Sequence, residues 1–350
     1  MTALKAVHKQ QIFRNRAMAI WLFIIAAMVF AMVILGGLTR LTHSGLSMVD
    51  WRPFTGWFPP FNESAWQILF EQYQKFPEFN KKNSDMSLPG FKSIFWLEYL
   101  HRLWGRLIGL AFFVPCVVFL VRRWINRAML IRYAFMMIMG ASQGVLGWYM
   151  VQSGLIDRPD VSQYRLAAHL ILALFIFGYI LWVGLTLWQN TEFILSWSRL
   201  SLGAGLLVLL VFSTAFSGAL VAGLDAGLTY NTFPLMDGKF VPDGLFDMRP
   251  FYVNFFENII TVQFNHRVFA EGTCIAFLAF WLFARRQAIP DSLALALKWM
   301  GIVVIIQVTL GISTLVMVIP ISLAAMHQSG AVVLLGCSIW VLKESMVRIK

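Results

Sequence analysis

The sequence predicts an all-α polytopic membrane protein, with eight transmembrane helices arranged as two tandem, parallel four-helix-bundle repeats and both termini in the cytoplasm. Three observations carry that prediction. Hydrophobic residues make up 59% of the 350-residue chain and charged residues only 13%, against about 45–50% and about 25% in soluble domains, so the chain cannot clothe a water-facing surface. Apolar runs of the roughly 20 residues needed to cross a bilayer core occur eight times. Finally, motifs in the first half recur in order in the second.

The expected spans are 18–38, 94–121, 133–152, 166–188, 202–223, 260–284, 299–319 and 323–342. The first follows Lys5, Lys9, Arg14 and Arg16. Its apolar run exceeds a signal-peptide core and no small-x-small cleavage site follows, so it reads as an uncleaved helix. No Arg- and Ser-rich transit peptide precedes it, which favours a bacterial inner membrane over an organelle. The outer loop 39–93 is too long for a simple connector. It carries Pro53, Pro59 and Pro60, then Asn62 as an N-cap, then Trp66, Leu69, Phe70 and Tyr73 along one helical face. That pattern predicts an amphipathic helix lying on the outer membrane surface. A second outer loop, 224–259, contains Pro234, Pro242 and Pro250.

Orientation follows from charge. With the N-terminus inside, the inner segments hold 15 Lys and Arg against 3 Asp and Glu, and the outer segments 10 against 12. Arg122, Arg123, Arg127, Arg285 and Arg286 mark the cytoplasmic side. The net charge of +11 is therefore a topogenic signal, and because the basic residues do not gather on one folded face, nucleic acid is not an expected partner. Cys116, Cys274 and Cys337 all lie in apolar stretches and read as packing residues.

The repeat is explicit. His43-Ser44-Gly45-Leu46-Ser47 after the first span matches Asp225-Ala226-Gly227-Leu228-Thr229 after the fifth. Glu98-Tyr99-Leu100-His101-Arg102 matches Gln263-Phe264-Asn265-His266-Arg267. Gln143 through Gly147 matches Gln307 through Gly311, and His169 matches His327. Four spans per copy give both copies one orientation. The expected domains are 1–195, including the long outer loop, and 196–350.

Of six histidines, His8 lies in the basic tail and His43 in a loop. The other four, His101, His169, His266 and His327, are intramembrane, where a polar group left unpaired is costly. One such histidine could simply bond a neighbouring helix; four, paired by the repeat and all near the outer end of their helices, point to ligation. Two imidazoles facing each other inside a wide apolar bundle suit haem, whose porphyrin supplies the remaining ligands. Zinc would ordinarily want more protein ligands than two histidines. Arg102 and Arg267 are placed to pair with propionates or to snorkel to headgroups, and Gln143 and Gln307 to support the pockets. The repeat also supplies an internal control: Glu98 lies one turn before His101, whereas its counterpart Gln263 cannot act as a base. The first bundle is thus expected to perform chemistry and the second to hold a redox-only haem, with Glu98 in proton transfer or charge stabilisation. An ion pair with Arg102 or Arg106 is the alternative role for Glu98.

At these residues the chain resembles the heme A synthases. Gly36-Gly37-Leu38-Thr39-Arg40-Leu41-Thr42-His43-Ser44-Gly45-Leu46-Ser47, the Glu98–Arg102 motif, and Trp51-Arg52-Pro53 through Pro59-Pro60 carry the resemblance, which covers essentially the whole chain. Without a cysteine pair in its outer loops, it is most similar to the alphaproteobacterial and mitochondrial branch. The resemblance implies oxidation of the C8 methyl of heme O, by successive hydroxylations, to the formyl group of heme A for terminal oxidase assembly. It implies Glu98 as the catalytic carboxylate, His101 and His169 around the substrate iron, and His266 and His327 as axial ligands of a heme b cofactor. Implied partners are the bilayer, heme O synthase (the protoheme farnesyltransferase) and an unidentified electron acceptor or donor, with a homo-oligomer left open. The rival reading is a bis-histidine di-haem electron carrier, but such a protein places haems near both faces, and here all four histidines lie near one. A duplicated transporter would want polar or broken helices at the midplane, where only Gln143 and Gln307 qualify.

Overall fold

The computed structural model describes residues 2–51, 55–154, 161–191 and 198–346. Arg52 and Pro53, two of the outer-loop residues singled out above, lie outside the described residues. The helices are α1 (Thr2–Leu41), α2 (Glu63–Tyr73), α3 (Pro77–Lys82), α4 (Leu88–Val121), α5 (Arg127–Gly154) and α6 (Gln163–Trp188). They continue with α7 (Arg199–Gly223), α8 (Asn254–Glu257), α9 (Ile259–Ala284), α10 (Asp291–Val316) and α11 (Ile321–Ser345). Eight of these, α1, α4, α5, α6, α7, α9, α10 and α11, are long and apolar enough to cross a membrane. The only β pairing among the described residues is an isolated bridge between Met236 and Lys239.

Several helices extend beyond the expected spans, and at two ends the departure has a clear physical reason. The helix containing the second span begins at Leu88, not near 94, because its first turns are held by protein contacts outside the apolar run. The seventh span ends at Val316, short of 319: Val318 and Ile319 adopt left-handed backbone with φ of 60° and 57°, and Pro320 then starts α11 as its N-cap.

Those protein contacts involve the outer loop. The Asn62 side chain accepts a hydrogen bond from Ala65 N at 2.8 Å, capping α2 as its position suggested. Trp66, Phe70 and Tyr73 of α2 are buried against Phe91, Phe95 and Tyr99 of α4. The apolar face of α2 is therefore used on α4 and is not free to lie on the bilayer, a correction to the sequence reading. Periodicity identifies an apolar face but not what covers it. The Tyr73 hydroxyl meets Glu78 Oε2 at 3.1 Å and Asn83 Nδ2 at 2.7 Å. Burial, then the Glu78 charge, pushes its ionisation above the ordinary tyrosine range.

Residue contacts divide the chain into two compact units, Met28–His169 and Met1–Ala27 together with Leu170–Lys350. In the second unit, a buried Glu344 of α11 ties α11 to α10 and to the residue that follows α6. It accepts from Gln189 Nε2 at 2.5 Å, Ser292 Oγ at 2.6 Å and Trp340 Nε1 at 3.1 Å.

Candidate haem sites

In the unit Met28–His169, α4 positions Glu98, His101 and Arg102 on successive turns, and α5 and α6 bring Gln143 and His169. Glu98 is only 3% exposed. Its Oε2 accepts from Ser47 Oγ at 2.7 Å and Met48 N at 2.8 Å, and its Oε1 from Arg102 Nη2 at 2.5 Å. The ion pair with Arg102 weighed from sequence is thus present. Arg102 also donates to Met48 O and Asp50 O, both at 2.8 Å. Further along α4 the Tyr99 hydroxyl donates to Trp57 O at 2.6 Å and Arg106 to Thr55 O at 3.1 Å. One stripe of α4 thereby holds the loop that leaves α1. Gln143 Nε2 donates to the His169 carbonyl at 2.9 Å.

The other unit repeats this construction. Arg267 of α9 donates to Tyr230 O and Thr232 O, each at 2.9 Å; in the repeat register these are the counterparts of Met48 and Asp50. Gln307 Nε2 donates to the His327 carbonyl at 2.9 Å. Gln263, 2% exposed, donates to Tyr230 O at 2.9 Å. Where the first half has a carboxylate accepting a backbone N–H, the second has an amide donating to a backbone carbonyl. Both arginines therefore bond carbonyls of the loop that follows the preceding long helix.

Sequence reasoning missed the residues that position the imidazoles. A Cβ placed on Gly36, Gly147, Gly218 or Gly311 would stand 3.1, 3.1, 3.0 and 2.8 Å from Cε1 of His101, His169, His266 and His327, respectively. Each of the four imidazoles thus turns its Cε1 edge toward a glycine of the preceding long helix, and the four pairs obey the repeat. Part of the signal was present, since Gly147 and Gly311 close a repeated motif and Gly36 and Gly218 align in the same register, but glycine is common in membrane helices for packing alone. Ser217 was missed as well: its Oγ lies 2.9 Å from His266 Nδ1.

The donor set fits haem. Among the described residues no group of three or more His, Cys, Asp or Glu side chains could hold a metal ion, so a metal between two imidazoles would need other ligands, which a macrocycle supplies. The His266 and His327 ring centres are 6.5 Å apart with their planes at 84°. Two metal–nitrogen bonds of about 2 Å each, plus the distance from each nitrogen to its ring centre, sum to roughly 6 Å. The rings already stand at the separation that one iron between them requires.

Residues 19–339 match the COX15-CtaA family model, described as cytochrome oxidase assembly protein. The chain is 48% identical over 339 residues to a heme A synthase of Nitrosospira multiformis, covering 94% of each chain. It is 48% identical over 326 residues to that of Parvibaculum lavamentivorans, covering 93% of each. With heme A synthase COX15 of Bos taurus it shares 44% over 343 residues, 94% of this chain and 82% of the bovine one. A likeness of this extent, spanning both halves of the repeat, makes the chain a member of the COX15-CtaA family of cytochrome oxidase assembly proteins.

Proposed function

We infer that this chain is a multi-pass heme A synthase of the bacterial inner membrane, oxidising the C8 methyl group of heme O to the formyl group of heme A. Within that reading, the observation that assigns the halves is the replacement of Glu98 by Gln263 in an otherwise repeated site. We place heme O in the first half, residues 1–195, with its iron between His101 and His169. Glu98 is fixed in position by Ser47, Met48 and Arg102. There it can hold a proton released as the methyl carbon is oxidised, or balance positive charge developing on that carbon. Gln143 orients the backbone around His169, and Arg102 keeps the covering loop in place.

The second half, residues 196–350, would hold heme b through His266 and His327, with Gln307 and Arg267 in the matching supporting roles. A bis-histidine haem there supplies single-electron transfer. The two halves are parallel four-helix repeats with both termini cytoplasmic, which places both haem sites toward the outer face. A farnesyltransferase that makes heme O from protoheme is the natural upstream neighbour, and an electron acceptor or donor completes the cycle.

The deciding experiment is Glu98→Gln, which gives the first half the second half's residue. Extraction and chromatography of bound haems should show unchanged heme B, with heme O or a hydroxylated form in place of heme A. A normal yield of heme A would refute the assignment of Glu98.

A further inference from the structure

The two histidine pairs are repeated closely, yet one of the four rings differs from the rest. Nδ1 of His101, His169 and His327 is buried with no hydrogen bond of normal geometry. Nδ1 of His266 alone meets a side chain, Ser217 Oγ, at 2.9 Å. Ser217 is 4% exposed, so water does not compete for that contact. The direction of the bond follows from counting protons. A serine hydroxyl has one hydrogen, and Ser217 directs it to Thr214 O at 2.8 Å. Both contacts are satisfied together only when Nδ1 of His266 carries the hydrogen and Nε2 the free lone pair.

The repeat supplies the control. Gly218 and Gly36 are equivalent, each lying against its histidine, so the residue before each is equivalent too: Ser217 in the second half and Leu35 in the first. A leucine side chain offers no acceptor, so His101 has only the backbone carbonyl of Leu35 beside it, where His266 meets a side-chain hydroxyl as well.

We propose that Ser217 is a positioning residue that holds His266 in the Nδ1-protonated tautomer, fixing a permanent axial ligand, and that Leu35, which gives His101 no side-chain acceptor, leaves the first half freer to release its haem. The proposal rests on the reading that His266 and His327 hold heme b. An outer-shell acceptor on a ligating imidazole fixes its tautomer and orientation and raises its basicity, and losing one typically lowers metal affinity by about 10–100-fold. A site that must keep its haem and a site that must exchange it would diverge at this position.

The test uses the full-length, haem-loaded protein in detergent, with apomyoglobin as haem acceptor and a parallel redox titration. Ser217→Ala should speed haem loss from the second site by about 10–100-fold. A more basic imidazole favours ferric iron, so the midpoint potential should also rise, by about 59 mV for each tenfold loss confined to the ferric state. Ser217→Thr, which keeps the hydroxyl, should restore both. Leu35→Ser should slow release of haem from the first site. If Ser217 merely bonds its own helix, Ser217→Ala will leave retention and potential unchanged, and the proposal fails. Should Ser217→Ala not accumulate as folded protein, Leu35→Ser decides alone, and unaltered release overturns the proposal. His266→Ala separates the two levels of inference: a low-spin haem spectrum that survives it overturns the placement of heme b itself.

Discussion

Replacing Gly311 with alanine tests whether the glycines set the ligand geometry. The new Cβ would stand 2.8 Å from Cε1 of His327, 3.4 Å from Nδ1 and 3.5 Å from Nε2. Carbon atoms in contact prefer about 3.5–4.0 Å, so the ring must retreat by about 0.7 Å. Metal–ligand distances are held to about 0.2 Å, so a shift of that size takes Nε2 out of bonding range unless α10 and α11 part. The expected result is haem affinity at least 10–100-fold lower, read as haem bound per purified protein and as loss of the low-spin spectrum. The matching change at Gly218, with a 3.0 Å approach, should act in the same direction, and at Gly147 or Gly36, with 3.1 Å, more weakly on the substrate side. Gly272→Ala is the control, because a Cβ there meets nothing within 4 Å; it should keep full haem and gain up to about 1 kcal/mol of helix stability. Wild-type haem content in Gly311→Ala would refute the reasoning.

Other consequences follow from the loops. Arg267→Ala removes two charge-assisted bonds to the loop carbonyls of Tyr230 and Thr232 and should cost roughly 2–3 kcal/mol. Arg102→Ala should cost more, roughly 3–5 kcal/mol, because it also strands the buried Glu98 carboxylate; equal losses of thermal stability in detergent would contradict the ion-pair assignment. Tyr73, whose ionisation is raised above its ordinary value of 10.0 by burial and then by Glu78, lends the outer loop stability that is complete below about pH 10 and lost at higher pH. Protease resistance of the loop should decline above that pH, and Tyr73→Phe should remove that pH dependence. Glu98→Gln and Ser217→Ala, set out above, complete the set.

Much of the architecture was legible because a bilayer leaves a chain few choices. Twenty apolar residues must form a helix, and all eight such runs do. The four intramembrane histidines and the contrast between Glu98 and Gln263 could likewise be read from a repeat that serves as its own control. What escaped was the partner of each group. Nothing in the Trp66–Tyr73 stripe says that α4, extended to Leu88, will cover it. Nor does Arg102 announce that the Met48 and Asp50 carbonyls will receive hydrogen bonds from its guanidinium. Gly311 and Ser217 are ordinary residues for a membrane helix, and only the approach of a second helix gives them a role. Sequence periodicity reports a face; the neighbour across from it is a tertiary fact.

The glycine–imidazole pairs have a consequence for biogenesis. His101 on α4 is seated by α1, His169 on α6 by α5, His266 on α9 by α7, and His327 on α11 by α10. In every case the seat is the membrane-crossing helix synthesised just before the one that carries the ligand. On the proposed haem assignment, each pair of crossings would carry both parts of a half-socket before any later segment is made. Haem capture would then join two hairpins, with ligands becoming available in the order of translation.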